Sequence, residues 1–331
     1  VGDLSLFDTL SWGKGWMWDD EPDPDEAFIT PLSFNHASVS VTVRPGSRTG
    51  APLVCEIAPA PGLFIVDNVS GTLPEGKPDS LVVTRARGAE MIVIRGTMSL
   101  SSPPETTTFS VRSPAFHFLQ ALRDRLAARG IDVEGGLLTG ETAGPVFLGQ
   151  IGRPLGTVLQ RINKFSDNLA AESLLKVLAA EMSGAPGSSE CGLAAVRSYL
   201  SGIGIDPRSV ITADGSGVSW YNAVTPDNII AVLRDQYSRK STFGEFYGSL
   251  ARAGYDGTLG NRMNGTAASG RIMAKTGTLT GVATLSGYVT TLSHDLLAFS
   301  IMVNHFPGKI QELRSLQDSI LGDLVRLNPD R

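Results

Sequence analysis

Three strand-forming segments lie close together between residues 271 and 304, and they limit the folds that this chain can adopt. They read RIMAKTG, GVATLSGYVTT and DLLAFSIMVN, and the turns between them are short enough for hairpins. Apolar residues recur at helical spacing in four further segments, at about 154–182, 190–202, 226–238 and 308–326. The sequence therefore predicts an α+β fold in which helices pack on an antiparallel sheet.

The first third of the chain has a different pattern. Valines occupy every second position from 39 to 43 and alternate with Ser and Thr, and the later segments MIVIRG and TTTFSVR also read as strands. The character changes at SPAFHFLQALRDRLAARG, where a Ser-Pro pair starts a helical pattern that stops at a glycine. We therefore predict a β-rich region over residues 1–112 and a second region over residues 113–331.

Composition excludes several classes of function. The net charge is -5 at pH 7, and Lys and Arg are scattered rather than gathered in a basic block, so we predict no nucleic-acid partner. No run of 18 or more apolar residues is present, and the first ten residues lack the pattern of a signal peptide, which indicates either a cytosolic protein or a processed one. The two cysteines and four histidines do not share metal-ligand spacings, so we predict neither a metal nor a cofactor.

A Lys-Thr-Gly tripeptide at the end of the first strand-forming segment is one candidate for chemistry. In an active site, Lys275 would supply a fixed cation, Thr276 a hydroxyl for a substrate carboxylate, and Gly277 a gap through which another backbone approaches the strand. These roles together suit an extended peptide substrate with a free C-terminus. A tripeptide also occurs by chance, and the alternative interpretation is a strand that ends in a turn.

A Ser-x-Asn sequence at Ser166 and Asn168 is the second candidate. It would present a hydroxyl and an amide from the turn that leads into a helix, but Ser-Asp-Asn is also a favourable helix N-cap sequence. The same spacing occurs at Ser33 and Asn35. The combination with Lys-Thr-Gly on a later strand favours the active site, since some serine enzymes use Ser-x-x-Lys, Ser-x-Asn and Lys-Thr-Gly in that chain order around one cleft.

Longer stretches are more specific than either motif. In their order and spacing, NKFSDNLAAESLLKVLA, ADGSGVSWYN, YDGTLGNRMNGT and GRIMAKTGTLTGVATLSGYV resemble the low-molecular-mass penicillin-binding proteins with inserted domains, the D-alanyl-D-alanine carboxypeptidase and endopeptidase family. The resemblance includes SLFDTLSWGKGWMWDD and covers nearly the whole chain. It implies a penicillin-binding/serine β-lactamase-like fold, a five-stranded antiparallel sheet flanked by helices, with β-rich inserted domains over 1–112 and the C-terminal part of the catalytic domain over 113–331.

The resemblance also implies a reaction and the residues that carry it. A serine would attack the bond between two D-alanines of peptidoglycan peptides, in the periplasm or otherwise outside the cytoplasm, and β-lactams would acylate the same serine covalently. Ser166 would relay a proton to the leaving amine, Asn168 would hold the substrate amide, and Lys275 would keep the cleft positive. Thr276 would bind the terminal carboxylate, and the Thr278 N–H would form half of an oxyanion hole.

One departure from the family bears on specificity. The family commonly has an arginine where this chain has Trp220, at the end of DGSGVSW. An arginine there could meet an anionic peptide side chain, whereas a tryptophan carries no charge. The sequence therefore does not predict which substrate side chain Trp220 would contact. It gives no support for recognition of a free diaminopimelate carboxylate at this position.

The nucleophile is the part of the site that we do not find in the sequence. Ser-x-x-Lys occurs at Ser11–Lys14, which glycines mark as a loop, and at Ser173–Lys176, on a helix about 10 Å of rise from Ser166. We interpret the second pair as a surface Ser and Lys. The family position of the motif precedes Val1, so we expect this chain to be a fragment or processed piece whose partner is the missing N-terminal segment.

Other classes of function remain as alternatives. A non-catalytic peptidoglycan-binding scaffold or a pseudoenzyme of the same fold would keep the cleft without the reaction. A β-lactamase is disfavoured, because Tyr221-Asn222 does not match Tyr-x-Asn and no Glu-x-x-Leu-Asn sequence is present. The sequence leaves a homo-oligomeric state open.

Overall fold

The structure is a computed structural model that describes residues 1–141 and 146–328. Its contacts divide the chain into two compact units. The first comprises Val1–Phe147 and Leu175–Cys191, and the second comprises Leu148–Leu174 and Gly192–Arg331. Among the described residues, no helix combines the length and the apolar character needed to cross a membrane.

Six strands of the first unit form two three-stranded sheets. They are β1 (Ser38–Arg44), β2 (Val54–Ala58), β3 (Ile65–Leu73), β4 (Val82–Arg85), β5 (Met91–Ser99) and β6 (Glu105–Ser110). One sheet is antiparallel with the order β2-β1-β6, and the other has the order β3-β5-β4 with β3 parallel to β5. The valines of β1 are fully buried and the Ser40 and Thr42 between them are half-buried, which confirms the predicted alternation.

The first helix, α1 (Pro114–Ala127), begins where the sequence predicts. Ser113 precedes it, and Pro114 lies in its first turn, where the missing N–H of proline has no helical partner to lose. The predicted boundary near residue 112 lies between β6 and α1, within the first compact unit. It separates strand-rich from helical sequence, and it stays a prediction about the domains of the protein.

The described chain contains six further α-helices and a second set of strands. The helices are α2 (Leu155–Phe165), α3 (Asn168–Ser183), α4 (Ser189–Gly202), α5 (Pro226–Ser238), α6 (Phe243–Ser249) and α7 (Ile310–Arg326). The strands are β7 (Ala251–Arg252), β8 (Ile272–Leu279), β9 (Val282–Thr290) and β10 (Leu296–Asn304). The three segments that the sequence predicts as strands are β8, β9 and β10. The sequence did not predict α6 or the two-residue β7, because both are too short for a periodic apolar pattern to be recognised.

These four strands form the sheet of the second unit, and helices cover both of its faces. The sheet is antiparallel with the order β10-β9-β8-β7. On one face, Ile272 and Ala274 of β8 belong to a buried cluster that includes side chains of α7. On the other, Met273 packs with Tyr288 of β9 and Leu233 of α5. The predicted sheet flanked by helices is confirmed; the described residues contribute four strands to it, where the resemblance implies five.

The segment predicted as one helix over about 154–182 is two helices, α2 and α3, which corrects that prediction. Ser166 has a left-handed backbone (φ 59°, ψ 45°), and a right-handed helix cannot continue through it. Asp167 then caps α3, because its carboxylate accepts a 3.0 Å hydrogen bond from the Ala170 N–H. Apolar spacing continues on both sides of the break, so periodicity alone does not reveal it.

Lys176 of α3 is buried, so its interpretation as a surface residue is wrong. Its side chain is fully enclosed, and its ammonium group donates hydrogen bonds to the Asp8 carboxylate and the Leu10 carbonyl. A buried lysine requires such partners, and Asp8 is 168 residues away in the sequence, beyond the reach of a local pattern. Because Lys176 is directed at Asp8, it is not placed to accept a proton from Ser173.

Removing the Asp8 carboxylate is expected to destabilise the protein strongly. Asp8→Ala would leave the Lys176 ammonium buried without a counter-charge, with the Leu10 carbonyl as its hydrogen-bond partner and the Phe7 ring 5.8 Å away. Breaking a buried ion pair typically lowers the free energy of unfolding by about 3 kcal/mol. Urea denaturation measures the change. The control is Asp132→Ala, at an exposed aspartate, with an expected change within about 0.5 kcal/mol. Equal effects of the two variants would contradict the expectation.

Candidate active site

Ser166 occupies the break between α2 and α3, in a backbone conformation that few residues other than glycine adopt. The sequence offered helix capping as the alternative role of Ser-Asp-Asn. In the structure the capping carboxylate belongs to Asp167, which also pairs with Arg161 at 3.0 Å. The Ser166 hydroxyl is therefore available for other contacts. A left-handed non-glycine residue held by its surroundings is a common feature of functional sites.

Lys275 of β8 reaches this hydroxyl directly. Its Nζ donates a 2.7 Å hydrogen bond to Ser166 Oγ and a 2.6 Å hydrogen bond to the backbone carbonyl of Thr276. The two residues are 109 positions apart in the chain, and the fold of the second unit brings them together. Because the Ser166 oxygen accepts this hydrogen bond, its own proton remains free to be donated to another group.

Burial changes the acidity of Lys275. Removal from water disfavours the charged ammonium form and lowers the pKa of Lys275 from 10.5 to about 8. At pH 7 the group is therefore mainly protonated, yet it gives up a proton far more readily than an exposed lysine does. A group that titrates close to neutral pH suits proton transfer through the Ser166 hydroxyl.

The edge of β8 next to Lys275 carries the other residues of the Lys-Thr-Gly strand. β7 pairs with β8 only at Met273 and Ala274, whereas β9 pairs along the whole of β8. In the described chain, β8 therefore has one unpaired edge from Lys275 onward. Thr276 is half-buried and Thr278 is exposed on this part of the strand. An unpaired strand edge is a place where an extended peptide can add as a further strand.

Gly277 has a packing role that the sequence did not indicate. It pairs with Thr284 of β9, and a Cβ at position 277 would lie 2.4 Å from the Thr284 hydroxyl oxygen. The space beside Gly277 is thus needed by a side chain of the neighbouring strand. The approach of a substrate backbone to Gly277 stays a prediction.

The end of α2 is anchored to the segment that follows β7. Lys164 forms an ion pair with Asp256, with 2.5 Å between Nζ and Oδ2. Gly257 (φ 58°) lies so close to α2 that a Cβ there would be 2.4 Å from the Lys164 carbonyl oxygen. These contacts hold the backbone that leads into Ser166. The next residue, Thr258, has its hydroxyl 2.9 Å from the hydroxyl of Thr276.

A buried carboxylate on α3 holds the loop that carries Trp220. Glu172 lies one turn after Asn168, the first residue of α3, and accepts hydrogen bonds from the N–H groups of Gly215 (2.8 Å) and Ser216 (2.7 Å). Burial raises the pKa of Glu172 above its ordinary range. The loop is thereby tied to the helix that begins with Asn168.

The same loop is closed by a second carboxylate. Asp214 accepts hydrogen bonds from the N–H groups of Gly217 (2.9 Å) and Ser219 (2.6 Å) and from the side chain of Asn222 (2.7 Å). Trp220 follows this tight loop and is 44% exposed. A large aromatic ring on a fixed loop can contact a ligand with little loss of conformational entropy.

The structure thus brings Ser166, Lys275 and Thr276 together and places Asn168 two residues beyond Ser166. Sequence reasoning did not find Glu172 or Thr258. A single glutamate within the apolar run NLAAESLL was a signal for a buried, partnered carboxylate. Thr258 had no comparable signal, because a threonine in a turn is ordinary.

Comparisons with known proteins identify the family of this chain. A model of the D-Ala-D-Ala carboxypeptidase 3 (S13) family matches residues 1–322. A D-alanyl-D-alanine carboxypeptidase from an Actinomadura species is 33% identical over 322 residues, which cover 92% of this chain and 59% of the relative. The chain spans about three fifths of the length of the three curated relatives that it matches over more than 90% of its own residues.

Solved structures support the fold. The crystal structure of penicillin binding protein 4 (dacB) from Haemophilus influenzae superposes with a TM-score of 0.79 at 23% identity and covers 98% of this chain and 75% of that one. The same protein complexed with a β-lactam gives a TM-score of 0.68 at 22% identity, covering 89% of this chain and 70% of that one. The family match extends over almost every residue, and the chain therefore belongs to the D-Ala-D-Ala carboxypeptidase 3 (S13) family.

Proposed function

We propose that the protein is a serine-type D-Ala-D-Ala carboxypeptidase and endopeptidase that acts on peptidoglycan stem peptides through an acyl-enzyme. A serine attacks the carbonyl between two D-alanines and gives up its hydroxyl proton, the terminal D-alanine leaves as an amine that takes up one proton, and water hydrolyses the ester that remains. The observation that carries this proposal is the 2.7 Å contact between Lys275 Nζ and Ser166 Oγ, beside an unpaired strand edge.

That contact supplies a route for the proton that the leaving amine needs. Ser166 donates its hydroxyl proton to the departing nitrogen, and Lys275 replaces that proton through the hydrogen bond that it already makes. The lowered pKa of Lys275, about 8, favours this transfer near neutral pH. The positive charge of Lys275 also stabilises negative charge that develops on the attacked carbonyl.

The unpaired edge of β8 orients the substrate. An extended peptide would add to this edge, with its terminal carboxylate at the Thr276 hydroxyl and the attacked carbonyl oxygen at the Thr278 N–H. Asn168 would hold the substrate amide from the start of α3. Trp220 would contact the peptide side chain, and its neutral ring favours an uncharged or amidated group over a free carboxylate.

The nucleophile is proposed to be a serine outside these 331 residues. Ser11 and Lys14 lie in a loop, as predicted, with Lys14 exposed, so no helix holds them on one face. Ser173 lies on α3, but the lysine one turn later is directed at Asp8. Since peptidoglycan lies outside the cytoplasmic membrane, the proposed location of the enzyme is periplasmic or otherwise extracytoplasmic.

Intact-mass analysis after incubation with benzylpenicillin tests the proposal. The full-length protein is expected to gain the mass of one penicillin in a long-lived adduct, and the 331-residue chain is expected to gain none. An adduct on the shorter chain, mapped to Ser11 or Ser173, would contradict the proposed location of the nucleophile. A full-length protein that binds peptidoglycan peptides without an adduct would be a scaffold or pseudoenzyme, and rapid turnover of the adduct would indicate a β-lactamase.

The rate of acylation is expected to fall as the pH rises through about 8. Lys275 is protonated below its pKa of about 8 and neutral above it, so the cleft loses its cation on the alkaline side. Stopped-flow measurement of penicillin acylation between pH 6 and pH 10 gives the profile. In Lys275→Arg the guanidinium stays charged over this range, so the decline near pH 8 should disappear. A decline of equal position and size in both proteins would assign the titration to another group.

A further inference from the structure

Two threonine hydroxyls meet at the unpaired edge of β8, and only one of them belongs to the Lys-Thr-Gly motif. Thr276 Oγ1 donates a 2.9 Å hydrogen bond to the Oγ1 of Thr258, which lies in the short Gly257–Leu259 helical turn. Thr258 is exposed, and its side chain is not needed to fill the core beneath it. The pair therefore presents two hydroxyl oxygens to solvent at one point of the strand edge.

The position of Thr258 is fixed from both sides. On its N-terminal side, Asp256 pairs with Lys164 of α2, and Gly257 packs against the Lys164 carbonyl. On its C-terminal side, Leu259 is completely buried in the core of the second unit. A hydroxyl held by such contacts needs little further ordering when a ligand binds.

We propose that Thr258 is a second substrate-binding hydroxyl, which with Thr276 binds the terminal carboxylate of the peptide. This inference rests on the proposed function and extends it to a residue outside the three motifs. The Thr258 hydroxyl accepts a hydrogen bond from Thr276, so its own proton is free to be donated to a ligand. Both hydroxyls can rotate about their C–O bonds. Each would then donate to one carboxylate oxygen, replacing a neutral hydrogen bond by two charge-assisted ones.

The surrounding charge agrees with an anionic ligand. Lys275 precedes Thr276 on β8, and its ammonium group lies against the Thr276 carbonyl. The nearest carboxylate along the segment, Asp256, is engaged by Lys164 and by the Arg252 N–H. The Lys275 cation therefore lies next to the backbone of Thr276, and the acidic group close to the two hydroxyls is neutralised by its own partners.

The test compares a penicillin that has its carboxylate with one that does not. In the full-length protein, Thr258→Val keeps the shape of the side chain and removes the hydroxyl. Acylation by benzylpenicillin is expected to slow roughly 10- to 100-fold, because one hydrogen bond to a charged group is lost. Acylation by benzylpenicillin methyl ester, which has no anion to bind, is expected to change less than about 3-fold, so that the acid-to-ester rate ratio falls.

Two variants serve as controls. Thr258→Ser keeps the hydroxyl and should retain an acid-to-ester ratio close to that of the parent protein. Thr280→Val makes the same exchange at an exposed threonine in the turn after β8 and should leave both rates unchanged. Thermal unfolding of each variant checks that the exchange at an exposed position leaves the fold intact.

The outcomes separate this inference from the function on which it rests. Equal slowing with the acid and the ester would show that Thr258 only supports the fold, and unchanged rates with both would show that its hydroxyl is not used; either result overturns the inference while the enzyme remains acylated. A parent protein that forms no adduct with either compound would overturn the proposed function itself.

Discussion

Replacing Lys275 with methionine in the full-length protein is expected to slow acylation by benzylpenicillin by roughly 10³-fold. Methionine keeps much of the length and volume of the side chain but removes the ammonium group that contacts Ser166 Oγ at 2.7 Å. The variant would lose both the positive charge beside the attacked carbonyl and the source of the proton that Ser166 passes on. The second-order rate constant of adduct formation, followed by stopped-flow and checked by intact mass, measures the effect.

The matched control for this variant is Lys240→Met. Lys240 is exposed and contacts the ring of Tyr237, and no part of the proposed reaction involves it. The same chemical exchange there should leave the acylation rate within about twofold of the parent protein, as expected for a surface substitution. Acylation of Lys275→Met at the rate of the control would show that the cation is not needed and would remove the main support for the proposed mechanism.

Replacing Ser166 with alanine is expected to slow acylation by roughly 10²-fold, a smaller loss than at Lys275, because the charge remains in the cleft. The hydroxyl is the only group that joins Lys275 to the leaving nitrogen in the proposed path. The reduction should be larger for a D-Ala-D-Ala peptide than for benzylpenicillin. The free D-alanine must leave as a protonated amine, whereas the β-lactam nitrogen is expelled from a strained ring. Parallel assays of peptide hydrolysis and penicillin acylation measure both.

A glycine at the same position separates chemistry from stability. Ser166 has φ 59°, a region where a non-glycine residue is strained by about 1 to 2 kcal/mol. Ser166→Gly should therefore slow the reaction as much as Ser166→Ala does, without lowering the melting temperature. Ser201→Ala, at an exposed serine of α4, is the control for loss of a hydroxyl elsewhere. If both Ser166 variants reacted with penicillin and peptide at the parent rates, the proton would have to reach the leaving group by another path.

The loop that carries Trp220 shows where sequence reasoning stops. DGSGVSW was recognisable as a motif, and its Asp and Gly residues indicate a tight turn. The carboxylate of Glu172, 43 residues earlier in the chain, holds that turn against α3. No periodicity connects a helical glutamate with a distant loop, because helical spacing reports only which face is buried. The partner that makes burial of the carboxylate tolerable is known only once both segments are folded.

Lys176 shows the same limit from the opposite direction. A lysine on a helix is exposed in most proteins, and this general tendency favours the interpretation of Lys176 as a surface residue. The structure instead buries it with the Asp8 carboxylate. The difference arises because the chain segment around Asp8 covers this part of α3, and contacts between segments so far apart depend on the path of everything between them.

The sequence alone determined the secondary-structure elements that depend only on residues close together in the chain. It identified the three strands of the sheet by their apolar patterns and short turns, the alternating strand at valines 39 to 43, and the Lys-Thr-Gly strand that carries Lys275. Tertiary structure decided that α2 breaks at Ser166, that Lys275 contacts its hydroxyl, and that Thr258 lies beside Thr276. The reason is physical: a pattern records the burial of neighbouring residues, whereas a site is made by groups that only folding brings within hydrogen-bonding distance.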